Sequence, residues 1–364
     1  MSIKRIGVLT GGGDCSGLNA AIRAITKCAV LQYGATVIGI RDGFEGLLGH
    51  PRIISLTQSM VQGLLARGGT ILGSTNKGDP FAYKSIEGDR ICIADRSDEV
   101  IENFRNLELD VLIVIGGDGT NAIGWKLQQR GLPVIGLPKT IDNDLDATDV
   151  TFGFDTAVNV VAEAIDRLQT TAESHHRVMP VETMGRNVGW IAVQAGLAGG
   201  AHIILIPEIP FHVEKVAEAI RKRQTKGRNF TIICVAEGAM PSGGDAVVGQ
   251  IVADSTETIR YGGISRELMD WLEPYKLGEC RATDLGHIQR GGAPTAFDRN
   301  LATRLGVYAV HCAARGESGV LVVLKNTEAA TIPLADALEK IRRVDPDGKW
   351  VSTARDIGIS FGDE

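Results

Sequence analysis

Apolar residues in this chain gather in short runs that end in glycine or proline, and polar or helical stretches separate the runs. Ile6-Gly7-Val8-Leu9-Thr10 leads into Gly11-Gly12-Gly13-Asp14, and Val111-Leu112-Ile113-Val114-Ile115 leads into Gly116-Gly117-Asp118-Gly119. Val134-Ile135-Gly136-Leu137 leads into Pro138-Lys139-Thr140. Runs without apolar/polar alternation predict strands buried on both faces, as in a parallel sheet. Between them the apolar spacing becomes helical. Residues 19–31 carry Ala21, Ile22, Ile25 and Ala29 on one face, residues 120–129 follow the second glycine turn, and residues 155–170 place Val158, Val161, Ile165 and Leu168 three or four apart. Asp155 is the expected N-cap of that third helix. Residues 178–182 and 231–236 read as strands and 213–226 as a helix, and Pro274 is expected to end any helix running through 271–277. Strand–loop–helix alternation predicts an α/β fold with parallel sheets.

A chain of 364 residues fits two domains at roughly 100–200 residues each. Apolar residues at 44% and charged residues at 23% are ordinary for a globular protein. The 38 basic against 44 acidic residues give a net charge of −6, which argues against a general nucleic-acid binder. Locally clustered arginines can still hold anionic substrates. None of the six cysteines forms a C-x-x-C pair, and several sit inside apolar runs, so neither a zinc ribbon nor a dithiol redox site is expected. The start, from Met1 to Gly7, carries no signal-peptide pattern, and no apolar run reaches the ~18 residues that span a bilayer. A cytoplasmic protein, without membrane or nucleic-acid partners, is therefore the expectation.

In open α/β sheets, ligands bind beyond the carboxyl ends of strands. Three loops here follow predicted strands and carry Gly, Asp or both. Glycine lets backbone approach a phosphate closely, and a following helix presents unpaired N–H groups. Aspartate among phosphates would repel them unless it held a cation, for which Mg²⁺ is the usual choice. Any one such loop alone reads better as a tight turn with a cap, but three in one chain, all with Asp close by, argue against that reading. Gly117-Asp118-Gly119-Thr120-Asn121-Ala122 also fits the G-x-G-x-x-A pattern of dinucleotide binders, a weak signal alone. No Walker A sequence occurs.

Taken together, the motifs resemble the phosphofructokinase family. The blocks are Gly11-Gly12-Gly13-Asp14 with Gly17-Leu18-Asn19-Ala20-Ala21-Ile22-Arg23; Gly116-Gly117-Asp118-Gly119-Thr120; Pro138-Lys139-Thr140-Ile141-Asp142-Asn143-Asp144; Met184-Gly185-Arg186; and Gly286-His287-Ile288-Gln289-Arg290-Gly291-Gly292. The second block alone is shared with other kinases, whereas the last three in this order are specific. The resemblance implies two Rossmann-like three-layer domains with mainly parallel sheets. Residues 1–153 plus 289–340 would bind nucleotide, and 154–288 plus 341–364 would bind fructose 6-phosphate.

It further implies Mg-ATP-dependent phosphorylation of fructose 6-phosphate, as in glycolysis. Asp142 would be the base at the sugar 1-hydroxyl, Thr140 would hydrogen-bond the transferring group, and Arg186 would stabilise its charge. Asp118 and Asp144 would hold Mg²⁺. Gly12, Gly13, Lys77, Gly117, Asp118, Gly119, Thr120 and Lys139 fall at donor-binding positions. Thr140, Asp142, Asp144, Arg177, Met184, Gly185, Arg186, Glu237, Arg281, His287 and Arg290 fall at sugar-phosphate positions. Arginine suits phosphate through its planar fork. In the family, the positions of Arg177 and Arg281 reach in from a neighbouring subunit, so a homodimer or homotetramer is expected. The Asp142–Asp144 pair could alternatively form only an Asx turn through Asn143.

Donor choice is divided between two positions. Pyrophosphate-dependent relatives have Asp where Gly119 stands, crowding the ATP α-phosphate, so Gly119 favours ATP. Those relatives have Lys where Lys139 stands, and common bacterial ATP enzymes have Gly there. The combination resembles a mixed subgroup, with ATP expected and pyrophosphate the alternative. Asn76 replaces an Arg that bridges donor and acceptor phosphates, a charge that Lys77 or Lys139 is expected to supply. At the family's effector site Arg23, Lys27 and Arg228 remain, but Gln58, Gln169 and Phe230 stand where basic residues are expected, so altered effector control follows. Residues 344–364 are unlike the common bacterial terminus and are expected to pack on the body. Two other classes stay open at this point: a catalytically silent sugar-phosphate-binding regulatory subunit, and a nicotinamide-dinucleotide enzyme.

Overall fold

A computed structural model describes residues 3–87, 90–252 and 259–364. The chain divides into two compact units. One takes in the residues up to Asp155 and Arg290–Ile341, and the other Thr156–Val252, 259–289 and Arg342–Glu364.

The first unit is built on a seven-stranded sheet. Its order is Glu328–Pro333, Val320–Lys325, Val134–Pro138, Val111–Gly116, Arg5–Thr10, Thr36–Ile40 and Ile53–Leu56. The five central strands are parallel, and the two edge strands run antiparallel to their neighbours. Val111–Gly116 is buried at every position, as a central strand covered on both faces must be. Helix Leu18–Tyr33 stops at Gly34, whose left-handed backbone (φ 63°) returns its N–H to the carbonyls of Ala29 and Val30. Helix Ala296–Ala314 starts at Thr295, whose hydroxyl accepts from the Asp298 N–H. These two helices pack closely at Gly306, where a Cβ would stand 3.0 Å from the Ala21 carbonyl oxygen.

The second unit holds a four-stranded, wholly parallel sheet in the order Thr283–Asp284, Val178–Thr183, Thr231–Ala236, Ile203–Leu205. Helices Val213–Gln224 and Ile264–Leu272 cover a core of Ile203, Leu205, Phe211, Ile220, Ile233 and Leu268 on one face of the sheet, and helix Trp190–Ala198 lies on the other, where a Cβ on Gly196 would stand 2.8 Å from Ile204. Helix Ile264–Leu272 gives way to a 3₁₀ turn containing Pro274, which removes the N–H that a continuing helix would need. The last residues belong to this unit. After helix Lys349–Asp356, Ser360 bridges Ile203 in parallel, and its carbonyl accepts from the Ile204 N–H at 2.9 Å. Phe361 is fully buried.

Asp155 is not the N-cap that the sequence predicts. Helix Phe154–His175 has already begun there, and the Asp155 carboxylate instead accepts a hydrogen bond from the Thr295 hydroxyl at 2.5 Å. The helix also runs on past Thr170, because its apolar face continues to the fully buried Ala172. No helix among the described residues is long and apolar enough to cross a membrane.

Candidate active site

Parallel pairing sets three loops side by side at the carboxyl edge of the seven-stranded sheet. Thr10 pairs with Ile115, and Gly116 with Pro138, so the segments beginning at Gly11, Gly117 and Lys139 emerge together. The Gly11 N–H donates to the Ile115 carbonyl and the Lys139 N–H to the Gly116 carbonyl, each at 3.0 Å. Gly12 is left-handed (φ 75°), a conformation that carries no steric cost only for glycine. Its N–H donates to the Thr75 carbonyl at 3.1 Å, and its carbonyl accepts from the Ser74 hydroxyl at 2.5 Å. The segment that contains Asn76 and Lys77 is thereby tied to the first glycine loop, with Lys77 exposed.

Asp118 opens helix Asp118–Gln129, and its carboxylate accepts from the Gly119 N–H at 2.6 Å. Gly119 is exposed, and nothing lies within 4 Å of where its Cβ would stand. Thr120 turns inward. Its side chain fills the crease between Gly11 and Gly116, so side chains at those glycines would collide with it.

Two cations converge on the first glycine loop. Lys139, 3% exposed, donates from Nζ to the Gly13 carbonyl. Burial pulls its pKa below the usual lysine value, and the carboxylates of Asp14 and Asp142 partly restore it. Arg290 Nη1 donates to the Asp14 carbonyl at 3.0 Å and would lie 2.7 Å from a Cβ on Gly13. Cys15 beneath them is inert, its thiol pushed up to about 12 by burial.

The segment from Thr140 to Asp144 is folded against Thr151. The Thr151 hydroxyl donates to the Thr140 carbonyl at 2.7 Å, and its N–H to Asn143 Oδ1 at 3.0 Å. Asn143 is left-handed (φ 54°) and buried, and its amide oxygen reaches residue 151 rather than closing a local Asx turn. Asp142 donates its backbone N–H to the Thr140 hydroxyl oxygen at 3.1 Å. Asp144 is pushed up to about 7, first by burial and then by the charges of Asp142 and Asp118, while a hydrogen bond from Thr140 opposes the rise. Among the described residues no group of three or more His, Cys, Asp or Glu side chains forms a ready-made metal cage. Asp118 and Asp144 do suit Mg²⁺, which takes one or two carboxylates and completes its shell with phosphate and water. A cation would also relieve the repulsion felt at Asp144.

The second unit repeats the arrangement. Ala236 pairs with Thr183 and Asp284 with Glu182, so Met184-Gly185-Arg186, Glu237 and Gly286-His287 follow neighbouring strand ends. Met184 donates its N–H to Gln289 Oε1 at 3.2 Å, and the Gln289 amide in turn donates to the Gly286 carbonyl at 3.0 Å. Gln289, buried and joining two of the loops, lies inside a motif block but has no polar signature in the sequence that marks this task. Gly185 is left-handed (φ 124°), and a Cβ on Gly238 would strike the Arg186 carbonyl, which explains glycine at both positions. The Arg186 guanidinium stands 5.7 Å from the Tyr261 ring centroid, and His287 is exposed.

Arg177 and Arg281 lie at the opposite end of this sheet. Arg177 immediately precedes strand Val178–Thr183, and the Arg281 N–H donates to the Val178 carbonyl at 3.0 Å. Both side chains bind Glu279, Arg177 at 2.6 Å and Arg281 at 2.5 Å. At ~3.3 Å per residue, the strand separates Arg177 from Met184 by about 20 Å. Of the predicted effector-site departures, Gln169 donates to the Gly199 carbonyl and Phe230 packs edge-on against His202 at 5.4 Å between ring centroids. Both are committed to the fold.

A family model described as phosphofructokinase matches residues 5–313. The chain is 50% identical over 363 residues to ATP-dependent 6-phosphofructokinase 2 of Clostridium perfringens, covering 99% of each chain. It is 52% identical over 361 residues to ATP-dependent 6-phosphofructokinase of Chloroflexus aurantiacus, covering 99% of this chain and 98% of that one. Among solved structures, the T-state phosphofructokinase of Pichia pastoris superposes with a TM-score of 0.78 at 30% identity, over 98% of this chain and 37% of that one. A pyrophosphate-dependent phosphofructokinase from Marinobacter aquaeolei superposes with a TM-score of 0.80 at 21% identity, over 98% and 92%. At that identity the second match speaks for the fold alone.

Proposed function

The chain belongs to the phosphofructokinase family, and from that premise we propose that it transfers the γ-phosphoryl group of ATP to the 1-hydroxyl of fructose 6-phosphate. The observation that carries the chemistry is the run of carboxylates Asp118, Asp142 and Asp144 at the edge where three strand ends meet, where burial first and then the charges of Asp142 and Asp118 raise Asp144 to about 7. Asp142 accepts the sugar hydroxyl proton as the bond to phosphorus forms. Asp118 and Asp144 would hold Mg²⁺, which when bound neutralises charge on the donor phosphates. Thr140, placed by Thr151, offers its hydroxyl to the transferring group, and Arg186 offers a fixed positive charge to it. Phosphoryl transfer needs little else from a protein than this positioning and charge.

ATP as donor rests on the open space at Gly119 and on the two ATP-dependent relatives at about half identity over the full length. Lys139 is the feature that favours pyrophosphate as a second reading. Its Nζ is held on the Gly13 carbonyl, inside the glycine loop that would receive a donor phosphate. The 6-phosphate of the sugar is bound by His287 with Arg290, and Glu237 takes a sugar hydroxyl. Arg177 and Arg281 lie about 20 Å of strand away from Met184, too far to serve the same copy's sugar loops. They serve a neighbouring copy, so the enzyme is a homo-oligomer.

The test is formation of fructose 1,6-bisphosphate by the purified protein with ATP, before and after chelation of divalent cations. Turnover is expected with Mg²⁺, to fall by at least a hundredfold on chelation, and to return when Mg²⁺ is restored. Turnover that chelation leaves untouched would remove the metal role of Asp118 and Asp144. No bisphosphate under any of these conditions would remove the reading itself.

A further inference from the structure

The segment that carries Arg186 is held in place by a part of the chain far away in sequence. Glu208 sits at a tight turn in which Ile206 and Ile209 bridge each other. Its carboxylate accepts the Gly189 N–H through both oxygens, at 3.1 and 3.0 Å. Gly189 is the N-cap of helix Trp190–Ala198, and the carboxylate that accepts its N–H also meets the positive end of the helix. The same carboxylate accepts the Val344 N–H at 2.9 Å. Burial raises the Glu208 pKa, and the N–H donors together with Arg343 hold it down.

Residues 342–344 then close over the helix start from the other side. The indole N–H of Trp190 donates to the Arg342 carbonyl at 3.0 Å, and the Arg342 guanidinium lies 4.8 Å from the Trp190 ring centroid. Arg343 Nη1 donates to the Asn187 carbonyl at 3.3 Å. Val344 is 1% exposed. The chain that follows Arg186 is therefore held through the Asn187 carbonyl, the Gly189 N–H and the Trp190 indole, while on the near side the Arg186 carbonyl occupies the space a Cβ on Gly238 would need.

We propose that Glu208 and the segment Arg342–Val344 form a clamp that positions Arg186 for phosphoryl transfer, so that the C-terminal stretch tunes turnover without touching substrate. The inference rests on the role given to Arg186 above. These are positioning residues, and their effect passes through Arg186. A misplacement of about 1 Å at a charge-stabilising group can cost about a hundredfold in rate, and a partial loosening is expected to cost less.

The experiment compares Glu208→Gln and Arg343→Ala in the parent and in an Arg186→Lys background. Glu208→Gln keeps the shape but turns an N–H₂ group toward one of the two backbone donors. Arg343 is exposed, so its truncation leaves folding intact if the first variant misfolds. In the parent, kcat is expected to fall about tenfold for Glu208→Gln and a few-fold for Arg343→Ala, with KM for fructose 6-phosphate moving less than threefold. In the Arg186→Lys background the further loss shrinks to less than twofold, the non-additivity expected of residues that act as a unit. Equal losses in both backgrounds, or no loss in either, overturn the proposal, since a merely structural role would lower the melting temperature alike in each. Amide exchange gives a readout that needs no turnover: Gly189 and Trp190 exchange about tenfold faster in Glu208→Gln. Unchanged exchange means there is no clamp, whereas a parent that fails to phosphorylate the sugar indicts the functional reading and leaves the clamp to the exchange result.

Discussion

Replacing Asp142 with asparagine lowers kcat by about a thousandfold, within the ~10²–10⁴ that a positioned base contributes. Asparagine keeps the size of the side chain and the backbone N–H bond to the Thr140 hydroxyl, so the segment stays folded against Thr151. What it cannot do is take a proton from the sugar. The substitution does not weaken the metal position either. The Asp142 charge is one of the causes that raise Asp144, so its removal moves Asp144 toward the ordinary carboxylate range and makes it a better ligand. Steady-state kinetics are therefore expected to show KM for fructose 6-phosphate and for ATP within a few-fold of the parent, with the loss confined to kcat. A variant retaining a tenth or more of parental kcat would take the base role away from Asp142.

Gly119→Asp is expected to lower kcat/KM for ATP by a hundredfold or more while leaving the melting temperature within a degree or two. Juxtaposed like charges cost several kcal/mol, and ~1.4 kcal/mol is a factor of ten. The structure makes the comparison clean. A Cβ at this position meets no atom within 4 Å, the residue is exposed, and an acidic side chain in the first turn of helix Asp118–Gln129 is favoured by the helix dipole. Gly119→Ala serves as the control for bulk, since it fills the same first carbon without charge, and is expected to lose less than tenfold. If the aspartate variant used ATP as well as the parent does, position 119 would have no part in donor choice.

Much of this site was readable because its signals are local. A buried β-branched run followed by Gly-Gly-Asp announces both a central parallel strand and the loop at its end, and the order of the motif blocks needs no tertiary information. Contacts between residues far apart in sequence were not readable. Arg177 and Arg281 meet on Glu279 because strands Val178–Thr183 and Thr283–Asp284 pair, a fact about topology rather than spacing. Glu208 takes the N–H groups of Gly189 and Val344, which lie far apart in sequence and meet only once the chain is folded. Asp155 misled for a different reason. Capping preference is a weak prior, and here the helix starts one residue earlier while the carboxylate finds the Thr295 hydroxyl. Thr120 lies in the motif block Gly116–Thr120, yet its side chain is spent on filling the space that Gly11 and Gly116 leave.

Donor choice is where the residues disagree, with Gly119 on one side and Lys139 on the other. The most direct measurement gives purified protein fructose 6-phosphate and Mg²⁺, with ATP and pyrophosphate offered in parallel, and follows fructose 1,6-bisphosphate. The account predicts turnover with ATP and at most a hundredth of that kcat/KM with pyrophosphate. Preferential use of pyrophosphate would contradict it and pass the donor assignment to Lys139.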